Sequence, residues 1–152
     1  MLFIITVLSL LFSVVFSVNL RDVVSYEAPF ASAVSCSKAS DLAKNFVVMI
    51  DNDAPTQGAN VTTTFDFDLD SVITGGTAYY SATLNGLGPF SSQASLCDET
   101  AQSGDPCPLN IGHHREMSTT TNTVTGKVVT TITWEDENGA EILCAVLTTK
   151  ST

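Results

Sequence analysis

Three groups of residues have types and spacings that could do chemistry: the cysteines Cys36, Cys97, Cys107 and Cys144, the pair His113-His114 with Glu116, and the alternating aspartates Asp66, Asp68 and Asp70. Zinc knuckles place cysteines a few residues apart, and no such spacing occurs here, so the cysteines read as disulfides. Sequence alone does not choose among the possible pairings; the expected set is Cys36–Cys144 and Cys97–Cys107. In the chain-entropy account the short loop would be worth just under ~3 kcal/mol and the long one nearly ~5 kcal/mol. Adjacent residues on a strand face opposite ways, so His113 and His114 cannot easily share an ion. An exposed strand start is expected there, and no metal. Protonation of these histidines near pH ~6 could still assist ligand release or membrane approach. The aspartates begin like a calcium loop, but Ser71 stands where the sharp-turn glycine belongs and Thr77 where the bidentate glutamate belongs. Phe67 and Leu69 between them point to a strand with one wet face.

Catalysis finds no footing. The chain has no Gly-x-Ser-x-Gly elbow, no His-Glu-x-x-His and no phosphate-cradling glycine loop. With all cysteines bridged, no thiol nucleophile remains. Neither catalytic residues nor a cofactor are expected. The net charge of −10 excludes a general nucleic-acid binder, which needs Lys and Arg to displace counterions from phosphates.

The elements that must position these groups follow from composition and periodicity. Residues 1–17 carry no charged side chain and have the length of a secretory leader, with the mature chain expected to begin near Val18 or Asn19. Residues 18–152 are then a single domain. Export favours disulfides, and Asn60-Val61-Thr62 is a glycosylation sequon that would place Asn60 at the surface. Period-two patterns dominate. Val61–Asp70 alternates apolar or Thr with Thr or Asp, and strands are also expected at Phe46–Ile50, Ala78–Leu84, Lys127–Trp134 and Glu141–Leu147. Asp136-Glu-Asn138-Gly139 between the last two is a hairpin signal. Ser37–Lys44 could form one helical turn and no other segment competes. The Thr-rich run Ser118–Thr125 leads into a strand. The expected class is all-β, a two-sheet antiparallel sandwich.

Four segments, in this order, resemble the ML family of lipid-recognition β-sandwiches, which includes phosphatidylglycerol/phosphatidylinositol transfer proteins and the soluble Niemann–Pick type C sterol carrier. Ala54-Pro55-Thr-Gln57-Gly58-Ala-Asn60-Val-Thr62 resembles the step into the family's long strand. Gly75-Gly-Thr-Ala-Tyr-Tyr80 is similar to the next turn. Leu96-Cys97 through Cys107-Pro108-Leu109, with Gly112, resembles the disulfide loop. Trp134-x-Asp136-x-Asn138-Gly139-x-x-Ile142-Leu143-Cys144 resembles the closing hairpin. Several members carry a third, short-range disulfide that this chain cannot form.

The resemblance implies an immunoglobulin-like sandwich with an apolar cavity between its sheets. Inside it a C16 tail would gain on the order of 10 kcal/mol gross, less the cost of ordering and association. Phe65, Phe67, Leu69, Tyr80, Leu84, Ile132 and Val146 are then candidate lining, each weighed against an ordinary packed core. Leu87, Pro89 and Phe90 are the candidate entrance, with Phe90 touching lipid, and Trp134 a core or edge aromatic. The implied activity is binding of a lipid, first a phospholipid such as phosphatidylglycerol or phosphatidylinositol, and its transfer between membranes. The alternatives are sterol transport in the endolysosomal lumen, or a lipid-presenting interaction module without transfer. The implied partners are the lipid and, transiently, a membrane, for a monomer that is secreted or held in a lysosomal or endosomal lumen.

Overall fold

Alternating side chains dictate strands, and strands dominate the structure. The computed structural model describes residues 30–151; the expected leader and mature start lie outside them. Eight strands and one helix follow in the order β1 (Phe30–Ser35), β2 (Ala43–Ile50), β3 (Asn60–Leu69), β4 (Gly76–Leu84), β5 (Leu87–Ser95), α1 (Leu96–Ser103), β6 (Gly112–Thr121), β7 (Gly126–Asp136) and β8 (Glu141–Ser151). They form two antiparallel sheets, β1-β8-β7-β4-β5 and β2-β3-β6. All five expected strands are present; Val61–Asp70 is shifted by one residue to Asn60–Leu69, and the other four are extended by two to four residues.

Two elements depart from the sequence reading. Ser37–Lys44 makes no helix: Asp41 takes the Lys38 amide on its carboxylate at 2.6 Å in a tight turn, and β2 begins at Ala43. The helix is instead α1, inside the Cys97–Cys107 loop. Its first turn carries Asp98 and Glu99, and Leu96 and Thr100 point inward one turn apart. It ends at Gly104, whose φ of 97° only glycine adopts freely. The second departure is β5, which carries Pro89 and a serine-rich outer rim instead of an apolar alternation. It joins β4 through Asn85-Gly86, both at positive φ, as a tight hairpin requires.

Both expected bridges form. Cys36–Cys144 ties the end of β1 to β8 across 108 residues, and Cys97–Cys107 ties α1 to the segment before β6. At the other hairpin Asp136 accepts from the amides of Asn138 (2.9 Å) and Ala140 (2.8 Å), which holds its carboxyl below the usual range.

The packed core sits at one end of the sandwich. Phe65, Phe67, Leu69, Trp134, Leu143, Leu96 and Leu109 are all buried there. Edge-to-face contacts join Phe46 to Phe65 (5.6 Å), Phe65 to Trp134 (5.4 Å) and Phe67 to Trp134 (6.2 Å). Because Phe67 is fully buried in this cluster, Phe67→Ala is expected to cost about 3–5 kcal/mol. Chemical denaturation would measure it, and a loss below ~1 kcal/mol would show that the cluster does not clamp the sheets.

Candidate functional site

Past the aromatic cluster the sheets are separated by a cavity of about 660 Å³. Its shape follows from side-chain length. The cavity-facing register of the large sheet runs Val128, Thr130, Ile132 and Trp134 on β7, opposite Thr149 and Leu147 on β8 and Tyr80 on β4. Facing it, β3 supplies Val61, Thr63 and Phe65, and β6 supplies Glu116, Ser118 and Thr120. Phe65 and Trp134 close the inner end. Toward the other end the residues are Thr, Ser and Val, too short to meet across sheets about 10 Å apart. Ser118 and Thr120 are exposed and mark the open side. The helix α1 closes the flank with Glu99, Gln102 and Ser103.

The inner end is electrostatically unusual. Glu116 is only 3 % exposed and lies in register with Phe65, with Ser103 and Asp105 as its polar neighbours. Burial pushes its pKa up to about 7; neighbouring Ser103 opposes the shift and Asp105 adds to it. Beside it, His114 Nε2 lies 2.7 Å from the Asn110 carbonyl, which can only accept, so Nε2 carries a hydrogen. Nδ1 lies 2.6 Å from Asp105 Oδ2, and a protonated ring would donate to both partners. Burial disfavours that charge, but the Asn110 carbonyl and the Asp105 carboxylate outweigh burial and raise the pKa. Phe67 stacks on the same ring at 5.4 Å. Ligand atoms of Asp105, His114 and Glu116 lie within 4.8 Å of one another. They are the residues that could hold a metal, but both His114 nitrogens are already engaged by protein.

The structure brings some expected site residues together and separates others. Phe65, Tyr80 and Ile132 line the cavity. Phe67 and Leu69 belong to the packed cluster behind it. Leu84 sits opposite Val128 by register, half-buried at the far end of β4. Val146 lies on the outer face opposite Val34, and its neighbour Leu147 takes the cavity position. Trp134 is a core aromatic, as expected, and also part of the lining. Leu87 and Phe90 are 70 % and 63 % exposed on β5. The hairpin tip that precedes them is tied by Asn85 to Lys127, next to the exposed Val124 that lines the cavity.

His113 is exposed as expected, 3.6 Å from Asp66 and 3.1 Å from Asp68 on the outer face. His114 is not: it is buried, because the strand turns alternate residues inward and β6 faces Phe67. Asp68 accepts from Asn45 at 2.7 Å, and this bond, with His113, lowers its pKa. The inward carboxyl of Glu116 was not expected. Its signal was available in the alternation His114, Glu116, Ser118, Thr120, which reads as a wet face until pairing with Phe65 and Phe67 fixes it inside.

A family model described as ML domain matches residues 31–151, most of the chain. No curated protein matches it. Among solved structures, chicken MD-1 complexed with lipid IVa is similar with a TM-score of 0.57 at 19 % identity, covering 79 % of this chain and 88 % of that one. A Niemann-Pick type C2 protein from the Japanese carpenter ant is similar with a TM-score of 0.58 at 16 % identity, covering 80 % and 99 %. At such identities the likeness is one of fold.

The raised pKa of Glu116 has a definite sign. Its contribution to stability is present in full below its ordinary value of 4.5 and is lost as pH rises through about 7. His114, also raised, acts in the same sense above its ordinary 6.5. Asp105 and Glu99 are the other charged groups facing this end. The melting temperature is therefore expected to fall from pH ~5 to pH ~8, and less steeply in Glu116→Gln, with a difference on the order of 2–3 kcal/mol. Calorimetry across that range is the measurement; identical slopes for the two proteins would contradict it.

Proposed function

The chain belongs to the ML-domain family, and from that premise we propose that it binds one lipid between its sheets and carries it between membranes. The observation that supports this most is the cavity itself. Its volume of about 660 Å³ lies within the roughly 300–1,000 Å³ of small-molecule sites. Its walls set Val61, Phe65, Ile132, Trp134 and Leu147 among many Thr and Ser side chains and a few acidic ones, a lining more polar than most such sites carry. Water reaches its open side, and hydrocarbon from a lipid would displace that water from the apolar walls, gaining about 25 cal/mol for each Å² of apolar surface buried.

The exposed Leu87, Phe90 and Val124 gather near one end and supply an apolar rim for touching a bilayer. Among ligands, phosphatidylglycerol and phosphatidylinositol fit with their charged head groups left outside. A sterol or another neutral lipid fits deeper, because the inner end carries Glu116, Asp105 and Glu99 and would repel an anion. The disulfides, the exposed Asn60 of the sequon and the uncharged first residues support an exported or lumenal, glycosylated protein, proposed here to act as a monomer. In this reading the protein is not an enzyme.

Native mass spectrometry of the chain purified from its source, with lipid extraction, is expected to show one lipid per chain. Purified protein is also expected to move labelled lipid between vesicles. Leu87→Asp with Phe90→Asp should slow that movement by about tenfold, the scale of ~1.4 kcal/mol lost at the membrane step. A chain that holds lipid but transfers none would be a presenting module. One that holds no lipid would end the proposal.

A further inference from the structure

We propose that Asp105, His114 and Glu116 form a site for a divalent transition-metal ion of the Zn²⁺ type, which ties the Cys97–Cys107 loop to β6. This is independent of the lipid-carrier reading. His113 and His114 do not share the ion, because the strand turns only His114 inward, where it meets the two carboxyls. His114 and Glu116 are alternate residues on β6, and Asp105 follows α1. Asp105 is placed by its amide, which donates to the Thr100 carbonyl at 3.0 Å, and by the Cys97–Cys107 bridge two residues on. Donor atoms of the three residues all lie within 4.8 Å of one another. Ligands bound to one zinc at about 2.0–2.2 Å stand ~3.4 Å apart, so the widest pair closes by no more than about 1.4 Å.

The ring of His114 is held as a ligand's ring is held. Its Nε2 hydrogen goes to the Asn110 carbonyl at 2.7 Å, the outer bond by which metal-bound histidines are oriented. That leaves Nδ1, 2.6 Å from Asp105 Oδ2, as the ligand atom. A proton is all that joins these two atoms, and metal binding displaces such protons. At Glu116 the ion relieves a strain of charge. Burial, with the Asp105 carboxylate adding to it, pushes the Glu116 carboxyl up to about 7, and a divalent cation neutralises both carboxylates. One imidazole nitrogen with two carboxylates suits Zn²⁺ and its neighbours, whereas Ca²⁺ takes six or more oxygens and Mg²⁺ keeps much of its water. The ion arrives from solvent and not through the lipid cavity: the Glu116 oxygens are closed off, but the Asp105 side chain is 42 % exposed. Water on that side fills the fourth position.

The full, untagged, disulfide-bonded chain is to be stripped with a chelator and titrated with ZnCl₂ by calorimetry at neutral pH. One Zn²⁺ per chain is expected, with Ca²⁺ and Mg²⁺ at least about a hundredfold weaker. Saturating Zn²⁺ is expected to raise the melting temperature by at least about 3 °C. Asp105→Asn and Glu116→Gln are each expected to weaken zinc by more than the roughly 10–100-fold that a lost outer-shell bond costs. Metal-free circular dichroism tells a lost ligand from a lost fold, and Asp105→Asn, at the exposed end, decides alone if the buried variant does not fold. His113→Gln, on the outer face beside Asp66 and Asp68, is expected to change nothing. A folded chain that takes up no zinc overturns the inference. So does uptake that Asp105→Asn leaves intact or that His113→Gln abolishes, which is an adventitious ion only.

Discussion

The structure depends on how far side chains can reach across two sheets. At one end Phe46, Phe65, Phe67 and Trp134 interdigitate and clamp the sheets together. At the other, Thr63, Ser118, Thr120, Thr130 and Thr149 face one another and cannot bridge the same separation. Backbone hydrogen bonding keeps each sheet stiff, so the gap is not closed by bending. The cavity is thus the consequence of a graded choice of side-chain size along continuous strands. One disulfide staples β1 to its neighbour β8 within the large sheet, and the other closes the loop that carries α1 on the cavity's flank.

The same strand geometry brings polar chemistry into the gap. On β6 every second residue faces inward, so the inward set is His114, Glu116, Ser118 and Thr120. Asp105 and Asn110 engage both nitrogens of His114 behind the aromatic cluster and raise its pKa. Glu116 comes one step nearer the cavity, beside Ser103 and Asp105, and burial raises its pKa to about 7. Both raised groups stabilise the fold more at mildly acid pH than at alkaline pH.

Much of this was legible in the residues. Alternation in Val61–Asp70 placed Phe65, Phe67 and Leu69 inside and Asp66 and Asp68 outside, and the structure agrees. The hairpin at Asp136–Gly139 was legible because Asn-Gly has few other uses. Helix α1 was hidden by its shortness, although Asp98, Glu99, Gly104 and Pro106 carry the usual start and stop signals. The exposed strand β5 was hidden because an edge that buries little has no apolar rhythm. Val146 was misplaced because Glu141–Leu147 is apolar on both faces. Alternation cannot choose a side there, and the β1 partner that covers the outer face decides it.

By itself the sequence determined strand content, the exclusion of nucleic acid as a general partner, and the resemblance to a lipid-binding family, because these rest on composition, local periodicity and motif order. Tertiary pairing alone decided which alternating face of β6 turns inward, and so that Glu116 is buried in register with Phe65 at the inner end of the cavity. A single strand carries no reference for inside and outside when both its faces are polar. That reference exists only once Phe65 and Phe67 of the neighbouring strand have found the core.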